Sequence, residues 1–326
     1  MQFGISFTLI HMNQAGALVH VYEDGSVHLN HGGTEMGQGL FTKVAQVVAE
    51  EFGIPLDWVR ITATNTAKVP NASPTAASAG SDLNGMAAQV AARQIKTRMI
   101  ALAADHYRTP ADQIHVRDGL VLIGDETIPF PQLAKMCRQN RVQLSHAGFY
   151  KTPEIHWDRA ARQGKPFLYF AYGAACAEVA IDILTGENRV MRVDILHDAG
   201  RSLNPALDIG QIEGGFLQGA GWLTSEELWW NARGELKTHA PSTYKIPTAR
   251  DWPAKASVKL VEGLPNVEDT IYRSKAVGEP PLMLGISVLH AIRDAIAAGR
   301  PGVLPRLTAP ATPEAVLRAL NELNQA

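Results

Sequence analysis

Cysteine is almost absent. Cys137 and Cys176 are the only two in 326 residues, far apart and outside any CxxC pattern. That excludes a disulfide scaffold, a zinc site built on thiolates and an iron–sulfur cluster held by this chain. Each is expected to be a small buried hydrophobe. No apolar run approaches the roughly 18 residues of a membrane span, and the start, MQFGISFTLIH, lacks the basic region and cleavage site of a secretory leader. A soluble, cytoplasmic protein is the expectation. Basic blocks are missing too: 30 Lys and Arg face 32 Asp and Glu, for a net charge of −2, so no nucleic-acid partner is expected. GxxxxGK[ST] and GxGxxG are not matched, which disfavours ordinary nucleotide sites.

What is present is globular in kind, with 46% hydrophobic and 19% charged residues. At about 100 to 200 residues per domain, two domains are expected. Two β-rich runs, 17–22 and 26–30, flank Glu23-Asp24-Gly25, a hairpin signal. Leu40, Val44, Val47, Val48 and Phe52 then recur at helical spacing, closed by Gly53 and Pro55. A strand at 58–63 precedes a small, polar stretch to Gly85, where a second helix opens and runs to about 105. A hairpin at 114–124 and a short helix at 131–139 follow. Residues 151–167 are polar and aperiodic, so the division expected is 1–150, a linker at 151–167, and 168–326. The second half reads as strands at 169–183 and 189–196, then helices near 209–221, 284–298 and 313–324, the last capped by Thr312 with Pro313 at its first position. Strands then helices, without regular βαβ alternation, indicate α+β halves.

Four segments stand out. HGGTEMGQGL (31–40) puts glycines between a strand and a helix, which suits either a plain tight turn or a backbone cradle for an electron-rich ligand. NASPTAASAGSD (71–82) is either a flexible loop, with Ser81 or Asp82 capping the next helix, or a surface that lets a ligand reach the main chain. DIGQIEGGFLQGAG (208–221) spends five glycines inside a helix at a cost of about 1 kcal/mol each, which calls for close approach of a helix or a ligand. In SKAVGEPPL (274–282), Glu279 lies between a glycine and two prolines, which bias it away from helical dihedrals. It reads as a surface turn carboxylate or, in rigid apolar company, as a base working near neutrality.

Taken in order, GISFT, NQAGAL, GGTEMGQGL, SPTAAS, NPALDIGQIEG, PSTYKIP and SKAVGEPPL closely resemble the molybdenum-binding region of the molybdenum hydroxylases, the xanthine dehydrogenases and their aldehyde oxidase relatives. The resemblance covers nearly the whole chain and implies two α+β subdomains around a molybdopterin cofactor carrying molybdenum in its oxo-sulfido form. It implies that Met36, Gly37 and Gln38 contact the pterin, with Thr75, Ala76, Ala77, Ser78, Ala79, Gly80 and Ser81 holding it from the second segment and Ala77 presenting its backbone to the metal. Gln211, Lys275, Ala276 and Gly278 complete the implied pocket, Phe7 and Thr8 meet a flat substrate, and Glu279 is the implied catalytic base.

The activity the resemblance implies is hydroxylation of hypoxanthine and xanthine with water as the oxygen source and hydride transfer to a sulfido ligand. Aldehyde oxidase-like specificity and a non-catalytic cofactor-binding segment are the alternatives. FAD, 2Fe-2S clusters and NAD are expected only on partner segments, within a dimer of the complete enzyme. Departures also occur. Phe41 stands where many relatives have histidine, and Ile10-His11-Met12 replaces a more apolar stretch. The family's Phe-Gly-Gly segment, substrate-orienting arginine and second active-site glutamate are not found, so the remaining half of the molybdenum subunit is an expected partner.

Overall fold

The computed structural model describes residues 1–69 and 71–325. Pro70, in the expected polar segment, and Ala326, the end of the expected second half, lie outside the described residues. The fold is α+β, and it divides into two compact units that interleave along the chain. The larger holds Gly4–Phe170 and Pro265–Ala276; the smaller holds Met1–Phe3, Ala171–Leu264 and Val277–Ala326.

After β1 (Gln2–Ile5), the larger unit builds a four-stranded sheet ordered β4-β3-β2-β8. β2 (Gln14–Val21) pairs antiparallel with β3 (Val27–His31) across the expected turn, where Gly25 takes φ +82°. α1 (Leu40–Phe52) ends at Gly53, whose φ of +71° is the left-handed cap that glycine supplies without penalty. β4 (Val59–Ile61) lies parallel to β3.

α2 (Gly80–Tyr107) starts five residues before the position expected from sequence. Gly80 and Gly85 are poor helix formers, but Leu83, Ala87, Ala91, Ile95 and Met99 bury one continuous face, and that burial outweighs propensity. Its N-cap is Ala79, with no side-chain cap, so neither Ser81 nor Asp82 caps it. A meander of β5 (Ile114–Arg117), β6 (Leu120–Ile123) and β7 (Glu126–Pro129) leads into α3 (Phe130–Gln139). β8 (Ser145–Lys151) completes the sheet and lies so close to α2 that a Cβ at Gly148 would overlap the Ala87 carbonyl. Residues 151–167 are not bare linker, because β9 (His156–Asp158) and β10 (Gln163–Lys165) pair within them.

In the smaller unit, β11 (Tyr169–Ile181) and β12 (Asn188–His197) form the expected hairpin, turned at Gly186 with φ +77°. α4 (Pro205–Thr224) follows, then β13 (Lys255–Leu260), which adds parallel to β12 in a sheet ordered β1-β11-β12-β13. α5 (Ile286–Ala297) and α6 (Pro313–Gln325) bury Val288, Ile292, Val316 and Leu323 with Val193, Ile195 and Phe216. Thr312 Oγ1 accepts from Ala315 N at 3.3 Å, as a cap does. Cys137 is buried as expected, whereas Cys176 is exposed because alternate side chains of β11 face outward. Among the described residues no helix is long and apolar enough to cross a membrane.

Candidate functional site

Residues 32–39 join β3 to α1, and their shape is set by a side chain that sequence reading passes over. Glu35 folds back into its own loop: Oε1 accepts from the backbone N–H groups of Gly37 and Gly39, and Oε2 accepts from Phe41, each at 2.9 Å. Burial acts to raise the Glu35 carboxyl, but the N–H groups of Phe41, Gly39, Gly37 and Met36 together hold it below the usual range. The amides at the start of α1, which the sequence offers to a ligand anion, are therefore already met by the chain's own carboxylate. Gln38 ties the loop a second time, accepting from Met36 N at 2.6 Å and donating to Thr34 O at 2.8 Å.

The tip that remains is Met36-Gly37-Gln38. Met36 is 67% exposed, and a Cβ at Gly37, where φ is +98°, would meet nothing within 4 Å. Beneath it, burial lowers His31 to about 4, against an opposing pull from Glu35. The ring is therefore neutral, its Nδ1 accepts from Gly33 N at 3.1 Å, and Phe41 packs edge-on against it at 5.1 Å.

The second segment lies directly against this loop. Thr34 N donates to Thr75 Oγ1 at 2.8 Å, and a Cβ at Gly32 would collide with Ala72. Ala77 and Ser78 both take φ +54°, and Ala79 follows at φ −89°, ψ 3°. Two consecutive left-handed L-residues cost roughly 1 to 2 kcal/mol each, and such strain is stored where the main chain must be presented to something. A small crevice of about 10 Å³ lies beside the turn, lined in part by Gln14, Ser73, Thr75 and Asn84.

Phe7 and Thr8 belong to the same unit. The Asn13 side chain clamps Phe7, accepting from its N–H and donating to its carbonyl, both at 2.8 Å. Ser6 before it is buried with φ +142°, a strained conformation for a serine. Ser73 Oγ lies within hydrogen-bond reach of the carbonyls of Met12 and Gln14, which share its one proton, so the stretch following Phe7 is fastened to the second segment. Phe7 is half-buried and Thr8 exposed.

Of the fourth segment, Ser274, Lys275 and Ala276 end the larger unit. The Ser274 carbonyl accepts from Asn266 Nδ2 and Thr270 Oγ1, Lys275 Nζ donates to Phe170 O at 3.1 Å, and Ala276 N donates to Tyr169 Oη at 2.9 Å. Gly278 and Glu279 lie in the smaller unit, and both are exposed. The sequence expectation for the Glu279 backbone fails: φ is −86° and ψ −35°, in the helical region. The bias imposed by a following proline is outweighed because Glu279 opens the 3-10 helix Pro280–Gly285, its carbonyl accepting from Leu282 N at 3.1 Å.

Packing in the third segment accounts for some of its glycines. α4, capped by Asn204 Oδ1 accepting from Leu207 N at 3.1 Å, packs along Pro280–Gly285. A Cβ at Gly215 would sit 2.9 Å from Pro281 Cβ, and one at Gly219 would overlap the Leu282 carbonyl. Gly210 and Gly214 face open space on either side of Gln211, so helix packing gives no reason for them. The larger unit thus gathers Phe7, Thr8, Met36, Gly37, Gln38, Lys275, Ala276 and residues 75–81, and the smaller gathers Gln211, Gly278 and Glu279.

Comparison with known proteins shows the family. The description "Molybdopterin cofactor-binding domain" matches residues 1–253. The chain is 48% identical over 322 residues to the xanthine dehydrogenase/oxidase of Gallus gallus, covering 98% of this chain and 22% of that one. It is 49% identical over 332 residues to the xanthine dehydrogenase of Oryza sativa, covering 98% and 23%. The chain therefore spans about a fifth of the length of these curated relatives. Among solved structures, quinoline 2-oxidoreductase from Pseudomonas putida 86 superposes with a TM-score of 0.83 at 24% identity, covering 99% of this chain and 41% of that one. The aldehyde oxidoreductase of Desulfovibrio desulfuricans does so at 0.73 and 25%, covering 98% and 31%. With the family matched over most of its length, the chain belongs to the molybdopterin cofactor-binding domain family.

Proposed function

We propose that this chain is the cofactor-holding, base-bearing portion of a xanthine dehydrogenase-type hydroxylase that oxidises hypoxanthine and xanthine to urate. One observation carries the reading: the Thr34–Thr75 bond joins the open tip at Gly37 to the left-handed turn at Ala77 and Ser78, making one strained, main-chain-rich surface. That surface suits a large, oxygen- and nitrogen-rich group approaching the backbone, as molybdopterin would. Met36, Gly37, Gln38, Thr75, Ala76, Ala77, Ser78, Ala79, Gly80 and Ser81 hold it, with Gln211, Lys275, Ala276 and Gly278 and with Ala77 nearest the molybdenum.

When bound, the molybdenum group, in its oxo-sulfido form, supplies an acidified water as oxygen source and accepts two electrons. Glu279 would accept a proton from that water, Phe7 would pack on the flat purine, and Thr8 would line its approach. The electrons would be taken up by 2Fe-2S clusters, FAD and NAD carried by partner segments in a cytoplasmic dimer, which would also contain the other half of the molybdenum-binding region. Turnover of xanthine and of an aromatic aldehyde by the complete enzyme tests the assignment. Purine oxidation should dominate; aldehyde turnover without purine activity would sink it.

Cofactor retention gives a separate test. Gln38→Ala removes the side chain that shapes the tip, and Ser78→Ala removes a hydroxyl from the strained turn. At about 1 kcal/mol net per hydrogen bond, each should weaken cofactor affinity by roughly fivefold. Molybdenum analysis of the purified variants reads this directly; full molybdenum in both would separate these segments from the cofactor.

A further inference from the structure

The buried acid and the buried ammonium of the larger unit are Asp82, the last residue of the second segment, and Lys43, three residues past the first. Asp82 is 7% exposed in the first turn of α2, one residue past Ser81. Lys43 is 6% exposed in α1, close enough to Asp82 to act on its charge. Tyr169, 5% exposed, donates from Oη to Asp82 Oδ2 at 2.6 Å. The same Oη accepts the Ala276 N–H at 2.9 Å. A phenol has one proton, so the Ala276 N–H on its acceptor side leaves that proton to Asp82, and the order of the chain is fixed: Ala276 N–H to Tyr169 to Asp82.

Three segments far apart in sequence therefore converge on Asp82, two of them along the hydrogen-bonded line and the first through the charge of Lys43. The glycine-rich loop reaches it through Lys43 of α1, the Ala77–Ser78 turn leads directly into it, and the fourth segment reaches it through Ala276. Burial raises the Asp82 carboxyl to about 7, while Tyr169 and Lys43 act to lower it, and an apolar side chain in its place would leave the buried Tyr169 hydroxyl without its acceptor. Such a network is better matched to fixing geometry than to adding stability.

We propose that Asp82 and Tyr169 are positioning residues that hold Lys275 and Ala276 in register with the Ala77–Ser81 turn, and so set the width of the cofactor surface within the larger unit. The proposal rests on the reading of these segments as cofactor-binding. Tyr169→Phe keeps the ring and removes the bridge; Asp82→Asn keeps an acceptor for Tyr169; Asp82→Leu takes the acceptor away.

The test uses the complete enzyme and three readouts: hydrogen exchange resolved to the peptide containing Ala276, molybdenum content, and xanthine turnover of the wild type. Tyr169→Phe and Asp82→Leu should speed exchange at Ala276 by about tenfold or more, the scale of an unmet buried hydrogen bond, with the β2–β3 amides unchanged and molybdenum content at least halved. Asp82→Asn should keep both near wild type. Exchange that stays at the wild-type rate in Tyr169→Phe, or that rises uniformly through the unit, overturns the proposal. So does full molybdenum content in a variant whose Ala276 exchange has risen. If Tyr169→Phe fails to fold, Asp82→Leu against Asp82→Asn decides by the same criteria. A wild type with molybdenum but no purine turnover would count against the proposed function, and the exchange rates would still decide the positioning role of Asp82 and Tyr169.

Discussion

Glu279→Gln in the complete enzyme is expected to fold, to keep its molybdenum, and to lose nearly all turnover. Glutamine preserves the shape of the side chain and leaves the backbone carbonyl bonded to Leu282 N, so the turn that carries it should stand. What it removes is the capacity to accept a proton. Loss of a general base costs about 100-fold to 10,000-fold in rate, or about 2.7 to 5.4 kcal/mol of barrier. Steady-state rates normalised to molybdenum content make the measurement. A variant that kept more than about a tenth of the wild-type rate at full occupancy would show too small a loss for a general base, and the role would pass to another group. A carboxylate with a purely structural role gives a different pattern, in which stability, cofactor content and rate fall together.

The second large effect is expected at Gly219. Its hydrogen faces the Leu282 carbonyl, and Gly285 across the contact faces the backbone of Gly219 and Ala220, so neither side has a flexible atom that can yield. Gly219→Ala must push α4 away from Pro280–Gly285, and overpacking of this kind costs about 3 kcal/mol. In a unit of this size that lowers the unfolding midpoint by roughly 10 °C. Gly210 lies on the same helix with open space at its Cβ position, and Gly210→Ala should gain a few tenths to about 1 kcal/mol from helix propensity. Unfolding midpoints for the pair test the account. Equal effects at 210 and 219 would mean that the close contact has no energetic weight.

Local chemistry was legible where it was local. Gly53 ends α1 and Asp24-Gly25 turns the β2–β3 hairpin because the conformations needed there are ones few other residues accept. The start of α2 was misread at Gly85, since the burial of Leu83 that extends it to Gly80 is a tertiary fact. β13 escaped notice because its partner β12 lies some sixty residues earlier and pairs in parallel. The motifs marked the segments proposed here to bind the cofactor, but not Glu35, whose carboxylate is spent on its own loop, nor Tyr169, which is 87 residues from Asp82. Spacing rules see neighbours along the chain; these side chains act on neighbours in space.

The interleaving of the two units bears on how the chain is made. The larger unit needs Pro265–Ala276, which leave the ribosome only after Ala171–Leu264 have emerged. At about 5 to 20 residues per second, roughly 5 to 20 s separate Phe170 from Ala276 during synthesis. Through that interval Tyr169 lacks its Ala276 donor, and the face of α2 at Gly85 against which Ile271 of the returning segment packs stays open. Nascent chains halted between 170 and 265 should therefore be the ones that engage chaperones most, and a single proteolytic cut will not release either unit whole.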